Sequence, residues 1–341
     1  MRALMIPMNI IVAVPLESSL AEFIGKRSSE NSISFYNRKE RGNVIVALAP
    51  SSIDEKFYAL PQTLLMADQV LLSTAELDRA FGEVLVACSL LGKRVIFTRD
   101  NDVSEMAKSL GLEATELASR EELLDMILSK GSLADANAPV RVDLDKAFNV
   151  KGVGTVALGI VTRGTLKVHD QLLHSSGKPV VVRSIQSQDE DIKEAPPGTR
   201  VGLALKGIDE SEMSKGDILS TVDVPPSSLI SLELRQSGFA KELIEKGKMY
   251  QIAVGFSFSN ATVEGIDGSS VSFRLEKAIP VEKGDAALVA RAVQPRIFAY
   301  GTVASGICRD LPRIYVLFYV LYFKWHNYII AMAWKAHTKP F

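Results

Sequence analysis

A chain of 341 residues, 47% of them hydrophobic and 23% charged, is long enough for two or three globular domains, each with its own core. Its net charge of −1 excludes a global basic field for nucleic acid, so RNA binding would need a local patch, and a DNA partner is not expected. Two cysteines, Cys88 and Cys308, exclude a disulfide framework, lack metal-ligand spacing and suit the cytoplasm.

Residues 1–131 alternate short apolar runs with stretches of helical pattern. The runs at 9–14, 43–49, 69–72 and 94–97 predict buried strands, and helices are predicted at 18–27, 56–67, 78–91, 103–110 and 121–129. Asp78 is the expected N-cap of the third helix, and Gly92 is expected to end it. Strands and helices that alternate at this spacing predict an α/β domain with a mostly parallel sheet.

The pattern changes after a small, polar linker at 132–139. Short strands and glycine turns then recur roughly every 8–12 residues, which is typical of β-barrels or sandwiches. Lys215-Gly216-Asp217 is one such turn, and Pro225-Pro226 separates two β-rich stretches. We therefore predict two all-β domains, at 140–223 and 224–306. His169 and His174 are expected to be surface or turn residues around a hairpin of the first, with no third metal ligand nearby, and no metal site is predicted.

The first β domain carries several motifs in a recognisable order. They are Lys151-Gly152-Val153-Gly154-Thr155, Arg183-Ser184-Ile185-Gln186, Pro197-Gly198-Thr199-Arg200 and Lys215-Gly216-Asp217-Ile218-Leu219. This stretch resembles domain II of the elongation factor Tu family, and most closely its selenocysteine-specific, SelB-like branch. Gly301-Thr302-Val303 is similar to the end of that family's second barrel, and residues 67–98 to the later half of its GTPase domain. The resemblance implies a degenerate P-loop-GTPase-like α/β domain followed by two translation-factor β-barrels, as in archaeal SelB-like paralogues.

The first domain lacks the family's phosphate-binding motif. A P-loop cradles phosphates with the backbone N–H groups of a glycine-rich turn, and its lysine and hydroxyl group reach the phosphates and Mg²⁺. After its first predicted strand this chain instead has Pro15, Glu17, Ser18 and Ser19, with neither glycine nor lysine. Because the Glu17 carboxylate would repel a phosphate, phosphate binding is not expected here.

Two further nucleotide motifs of the family are altered. Pro50, Ser51 and Ser52 stand where the resemblance places Asp-x-Pro-Gly-His, which serves Mg²⁺ and the attacking water. Thr98, Arg99 and Asp102 stand at the guanine-reading Asn/Thr-Lys-x-Asp motif, with Asp102 one position late. Because three motifs are altered, neither GTP nor Mg²⁺ is expected as a cofactor, and no catalytic residue is predicted. Whether any enzyme activity remains stays open.

The family's barrels receive the aminoacyl end of tRNA, and the resemblance points to three residues for that role. Gln186 matches a family position that contacts the terminal adenosine, and an amide can bind a ribose hydroxyl or a base edge. Arg183 and Arg200 could meet phosphates. The alternative for all three is an exposed residue that binds no ligand.

The tail at 307–341 differs in composition from the rest of the chain. It holds both tryptophans, Trp325 and Trp334, and its apolar segment at 314–334 is near the length of a membrane helix. Lys324 and His326 interrupt that segment with polar groups. Three interpretations stay open: an aberrant extension, a membrane anchor, or a helix packed on the body or on a partner.

Together with the altered nucleotide motifs, the resemblance implies an elongation-factor paralogue that binds tRNA or aminoacyl-tRNA through its barrels, without nucleotide-driven release. The ribosome is a further candidate partner. Two alternatives stay open. One is an interaction protein that docks on the ribosome or another factor without binding tRNA, and the other is a translational GTPase with weak residual GTP binding.

Overall fold

The computed structural model describes residues 9–29, 31–52, 57–112, 116–129, 131, 134–240 and 242–307. The proposed membrane-anchor segment at 314–334, like the rest of the chain after Ile307, lies outside these residues. Within the described ranges, no helix combines the length and the apolar character that crossing a membrane requires.

The first domain is a seven-stranded sheet with helices against it. Its strands are β1 (Asn9–Ala13), β2 (Lys26–Ser29), β3 (Ile33–Glu40), β4 (Asn43–Pro50), β5 (Gln69–Leu72), β6 (Arg94–Thr98) and β7 (Glu116–Ala118). Its helices are α1 (Ser18–Ile24), α2 (Ala59–Met66), α3 (Arg79–Leu91), α4 (Ser104–Ser109) and α5 (Arg120–Ser129). The strand order is β2-β3-β4-β1-β5-β6-β7, and all neighbours from β4 to β7 are parallel. The carboxyl ends of β1, β4, β5 and β6 therefore meet at one edge of the sheet.

The sequence specifies the ends of α3 directly. The Asp78 carboxylate accepts a hydrogen bond from the Phe81 backbone N–H at 2.9 Å, which satisfies one of the free donors at the start of the helix. Gly92 ends the helix with a φ of 62°, a left-handed conformation that glycine adopts without a Cβ clash. Both predicted ends of this helix are confirmed.

The predicted helix at 18–27 is wrong in its last three residues. The helix α1 ends at Ile24, and Lys26 and Arg27 belong to the short strand β2, which pairs with β3 at the edge of the sheet. Gly25 separates the two elements and lies so close to β3 that a Cβ there would come within 2.6 Å of the Asn37 carbonyl oxygen. This edge hairpin was not predicted.

The second domain is a barrel. Its strands are β8 (Arg141–Val150), β9 (Gly154–Arg163), β10 (Leu166–Lys167), β11 (Gln171–His174), β12 (Pro179–Ser187), β13 (Glu190–Ile192), β14 (Glu194–Ala195), β15 (Arg200–Lys206) and β16 (Ile218–Ser220). The order β11-β16-β8-β9-β15-β12 closes through a pairing of β11 with β12, and β13 extends β12 on the outside. The expectation of a surface or turn residue is wrong for His174, which belongs to β11 and is 2% exposed. Its Nε2 lies 3.1 Å from Asp217 Oδ2, and its Nδ1 lies 2.8 Å from the Ser176 hydroxyl.

The third domain is a second closed barrel. Its strands are β17 (Pro226–Gln236), β18 (Met249–Val254), β19 (Ser257–Asp267), β20 (Ser270–Pro280), β21 (Ala286–Ala290) and β22 (Ile297–Ile307), in the order β17-β20-β19-β18-β21-β22. An α/β domain followed by two β-barrels is the predicted architecture. The three domains also share apolar contacts, because the cluster around Phe35 and Phe97 of the first domain includes Ile160 of the first barrel and Phe256 and Leu288 of the second.

Candidate functional site

A cleft of about 480 Å³ lies between the edge hairpin of the first domain and the first barrel. One wall comes from β2 and β3, and the other from β15 and from the hairpin of β12 and β13. The side chains that matter here are Lys26, Arg27 and Asn37 of the first domain, and Gln186, Gln188 and Arg200 of the barrel. The cleft therefore exists only while the two domains keep their present arrangement.

Gln186 is exposed at the barrel wall of this cleft. Its Nε2 donates to Asp191 Oδ1 at 2.9 Å, across the pairing of β12 with β13. This hydrogen bond fixes the amide orientation and leaves Oε1 as the free acceptor, since no described residue donates to it. Gln186 can thus accept from a hydroxyl or amino group in the cleft.

The two predicted arginines differ in their surroundings. Arg183 is exposed, and its guanidinium donates to the carbonyl oxygen of Val153, outside the cleft. Arg200 lies in the cleft wall but is only 7% exposed, so the expectation of a surface residue is wrong. Both of its terminal nitrogens donate to the Asp145 carboxylate, with an Nη2–Oδ2 distance of 2.9 Å, and Asp145 already balances its charge.

The ring of Phe35 packs against the flat face of the Arg200 guanidinium. The guanidinium carbon lies 3.9 Å from the centroid of the Phe35 ring, which belongs to β3 of the first domain. Arg200 is therefore a contact between the first domain and the first barrel. A planar guanidinium that stacks on an aromatic ring while it pairs with a carboxylate is suited to such a buried interface.

Four cleft residues were missed: Lys26, Arg27 and Asn37, because the edge hairpin was not predicted, and Gln188 in the turn between β12 and β13. Lys26 is exposed, and no ion pair involves it among the described residues. Arg27 donates to the Tyr36 hydroxyl from Nε and Nη2, at 3.2 and 3.1 Å. Asn37 Oδ1 and Gln188 Nε2 are buried without a hydrogen-bond partner among the described residues. Gly25 was the available signal, because glycine disfavours the interior of a helix.

The turn that carries Gln188 has an unusual backbone. Gln188 and Asp189 both have positive φ values, of 52° and 62°, which side chains other than glycine rarely adopt. Two such residues in succession match a tight turn of the I′ type between β12 and β13. Strain of this kind and unpaired polar atoms both occur more often at binding sites than elsewhere.

The positions expected at a nucleotide site come together at the sheet edge where β1, β4 and β6 end. Pro15 and Glu17 lie between β1 and α1, and Ser18 and Ser19 begin the helix. The Ser19 hydroxyl donates to the Glu17 carboxylate, which also lies 3.6 Å from Arg120 Nη2. A carboxylate therefore stands at the amino end of α1, where a phosphate would otherwise meet backbone N–H groups.

The segment after β4 is hydrogen-bonded to the turn between β2 and β3. Pro50 ends β4, and the backbone N–H of Ser51 donates to the Ser32 carbonyl at 2.9 Å. The Ser51 hydroxyl also donates to that carbonyl, at 3.2 Å, and Ser52 is half-buried. The hydroxyl of Ser51 is thus engaged within the domain.

The segment after β6 is likewise engaged. The Thr98 hydroxyl donates to Asp100 Oδ2 at 2.5 Å, and Arg99 Nη2 lies 3.1 Å from the Glu122 carboxylate. Asp102 accepts from the backbone N–H of Ser104 at 2.9 Å, and hydrogen bonds from Ser104 hold the pKa of this carboxyl below its ordinary value. Within the described residues, no cluster of three or more His, Cys, Asp and Glu side chains could hold a metal ion.

Comparisons with known proteins agree with this architecture. Residues 154–220 match the family model for elongation factor Tu domain 2. Over 275 residues the chain is 31% identical to an uncharacterized protein of Methanocaldococcus jannaschii. The match covers 77% of this chain and 88% of that protein. It is 29% identical over 213 residues to the selenocysteine-specific elongation factor of the same organism. The chain belongs to the EF-Tu/SelB-like family of translational GTPases.

The named relatives of this family member are translation elongation factors. The match to the M. jannaschii selenocysteine-specific factor covers 54% of this chain but only 45% of that factor. Among solved structures, SelB of Methanococcus maripaludis in complex with the GTP analogue GppNHp is similar with a TM-score of 0.74 and 22% identity. That likeness covers 90% of this chain and 81% of SelB, and it shows that the two share one fold.

Proposed function

We propose that this SelB-like protein binds the aminoacyl end of tRNA in the cleft between its first domain and first barrel, in the cytoplasm and without GTP hydrolysis. One observation carries the proposal. Gln186, the residue at the position that contacts the terminal adenosine in the family, shares one cleft with the exposed Lys26, which forms no ion pair among the described residues.

The chemistry of the cleft suits the end of an RNA strand. The free Oε1 of Gln186 can accept a ribose hydroxyl or a base amino group. Lys26, on the opposite wall, offers a positive charge to the phosphate backbone. Asn37 Oδ1 and Gln188 Nε2 belong to side chains of the cleft wall, but both atoms are buried, so an RNA strand in the cleft would not contact them directly.

In the family, GTP binds at the sheet edge where β1, β4 and β6 end. In this chain the groups at that edge support a mechanism without nucleotide. These groups do not fit a triphosphate with Mg²⁺, because Glu17 stands at the amino end of α1 and no lysine lies between β1 and α1. The Ser51 and Thr98 hydroxyls and the Asp102 carboxylate are hydrogen-bonded within the protein. In this proposal, neither GTP nor Mg²⁺ is a cofactor.

A binding titration tests the proposal. Aminoacylated and deacylated tRNA are compared by fluorescence anisotropy at two salt concentrations, with and without GTP and Mg²⁺. We expect a preference for the aminoacylated form that GTP does not change. Gln186→Ala should weaken binding roughly three- to tenfold, as the loss of one hydrogen bond does, without changing the salt dependence. Lys26→Ala should reduce the magnitude of the slope of log K against log salt by about 1, the change expected when one phosphate contact is lost.

Gln171→Ala is the matched control, since Gln171 is an exposed glutamine of the same barrel on β11, outside the cleft lining. It should leave affinity unchanged. Binding that is equal for both tRNA forms and indifferent to Gln186→Ala would reject the proposal and favour a protein that docks on the ribosome or another factor. Affinity that rises with GTP and Mg²⁺ would favour residual GTP binding instead.

A further inference from the structure

A buried polar junction joins all three domains at one point. Gln62 of α2 is 2% exposed, and its Nε2 donates to the carbonyl oxygen of Phe256 in the second barrel at 2.6 Å. Its Oε1 accepts from Lys215 Nζ of the first barrel at 2.7 Å. Lys215 Nζ also donates to the Ser32 hydroxyl of the first domain at 2.8 Å. One glutamine and one lysine therefore connect the three domains through three hydrogen bonds.

Aromatic rings pack around the junction, which also borders a cavity of about 170 Å³. Lys215 Nζ lies 5.8 Å from the Tyr58 ring and 5.9 Å from the Phe256 ring, and Phe256 is itself packed edge-on against Phe35. The turn that carries Lys215 presses on the second barrel, since a Cβ at Gly216 would lie 2.6 Å from Ser257 Oγ. The Ser257 hydroxyl also donates to the Gly216 carbonyl oxygen at 2.8 Å, so the two barrels are joined at this turn.

Each pair of domains has a further polar contact. The first domain and the second barrel meet through Glu83 and Arg296, with 2.7 Å between Oε2 and Nη2. The two barrels meet through Arg141 and Asp285, with 2.8 Å between Nη1 and Oδ1. The first domain and the first barrel meet where Arg200 stacks on Phe35. The shared apolar cluster lies among these contacts.

We infer that the three domains form one rigid body whose arrangement does not respond to nucleotide, and that Gln62 and Lys215 are positioning residues that hold the cleft in its binding geometry. A ligand changes a conformational equilibrium only by its different affinity for two states. The described sheet edge gives a nucleotide phosphate little to bind, and all three domain contacts would break on rotation. The cleft is therefore preformed, although neither Gln62 nor Lys215 lines it.

Distances between spin labels test the rigid arrangement without any tRNA. Labels are placed at Glu105→Cys on α4 and at Lys151→Cys between β8 and β9, both exposed, in the full chain with Cys308→Ser. Cys88 stays unlabelled because it is fully buried, which raises its pKa to about 12. We expect one narrow distance distribution that is identical without nucleotide, with GDP and Mg²⁺, and with GTP and Mg²⁺. A second distance in any of these states would overturn the inference.

Gln62→Leu tests the positioning role, with Gln171→Leu as the matched control on the exposed face of β11. Gln62→Leu keeps the side-chain volume but removes both hydrogen bonds, so the distance distribution should broaden, whereas Gln171→Leu should leave it unchanged. A distribution that stays narrow in Gln62→Leu would contradict the role assigned to Gln62.

The affinity of the same variants for aminoacylated tRNA rests on the proposed function. Gln62→Leu should weaken it roughly tenfold while the slope of log K against log salt stays unchanged, because no phosphate contact is lost. If the protein binds no tRNA but its distances are narrow and independent of nucleotide, the inference holds and only the proposed function fails. If tRNA binds with equal affinity to Gln62→Leu, the positioning role is refuted.

Discussion

Arg200 shows how one residue can be correctly singled out and wrongly interpreted. A basic side chain in a family-like motif suggests a phosphate contact, and in this chain the guanidinium instead joins two domains. The pairing depends on Asp145, 55 positions away, and on Phe35 of another domain. No local pattern connects three residues at such separations, so sequence reasoning could name Arg200 but not its partners.

Loss of Arg200 alone should be strongly destabilising. In Arg200→Met the Asp145 carboxylate, which is 6% exposed, loses its charge partner, and such a loss costs about 3–5 kcal/mol. The double variant Arg200→Met/Asp145→Leu removes both charges and should recover most of that free energy. The measurement is urea unfolding followed by circular dichroism.

Arg183→Met is the control for this pair, because Arg183 is exposed and bound only to a carbonyl oxygen among the described residues. Its substitution should change the free energy of unfolding by about 0.5 kcal/mol or less. A single variant Arg200→Met as stable as Arg183→Met would mean that the Asp145 pair is open to water, contrary to its burial.

At the scale of single elements, α3 offers two glycines with opposite expectations. Gly82 lies within the helix, and a Cβ there would meet nothing within 4 Å, so Gly82→Ala should stabilise the protein by about 0.5–1 kcal/mol. Gly92 has a φ of 62° at the end of the helix, so Gly92→Ala should destabilise it by about 1 kcal/mol. Thermal unfolding of both variants and of the wild type shows whether each substitution raises or lowers the stability of the protein.

Changes in stability of the same sign for Gly82→Ala and Gly92→Ala would contradict the prediction for α3. A destabilising Gly82→Ala would mean that the half-buried glycine is needed for a close contact, and a neutral Gly92→Ala would mean that the helix end rearranges at little cost. Because the two substitutions add the same methyl group to one helix, any difference between them reports backbone conformation rather than hydrophobic burial.

The elements that sequence reasoning found are those with strong local signals. The strand β1 is an unbroken apolar run buried on both faces, and Asp78 with Gly92 marks both ends of α3. The strand β2 has the sequence Lys-Arg-Ser-Ser, which offers neither alternation nor apolar residues, and only its pairing with β3 makes it a strand. The cleft depends on that edge hairpin, so the site was predicted only on its barrel side.

At the scale of the whole molecule, the order of the domains follows from the sequence but their contacts do not. The change from helical periodicity to short strands with glycine turns is visible along the chain. By contrast, the hydrogen bond from Gln62 to the Phe256 carbonyl spans 194 positions, and it joins an ordinary helix residue to an ordinary residue of the turn between β18 and β19. Such a contact arises only when complete domains pack against one another, and a single sequence records no trace of it.

The shared apolar cluster leads to a last prediction, that the three domains unfold together. Phe256 is 1% exposed and packs in the cluster that the domains share, whereas Phe273 lies in the second barrel's own core. Phe256→Ala and Phe273→Ala should each cost about 3–5 kcal/mol. In differential scanning calorimetry the wild type should show one transition with equal calorimetric and van't Hoff enthalpies, and both variants should move that transition as a whole. A Phe273→Ala variant that splits off a separate low-temperature transition would show that the second barrel unfolds by itself, because its own core would then not be coupled to the other domains.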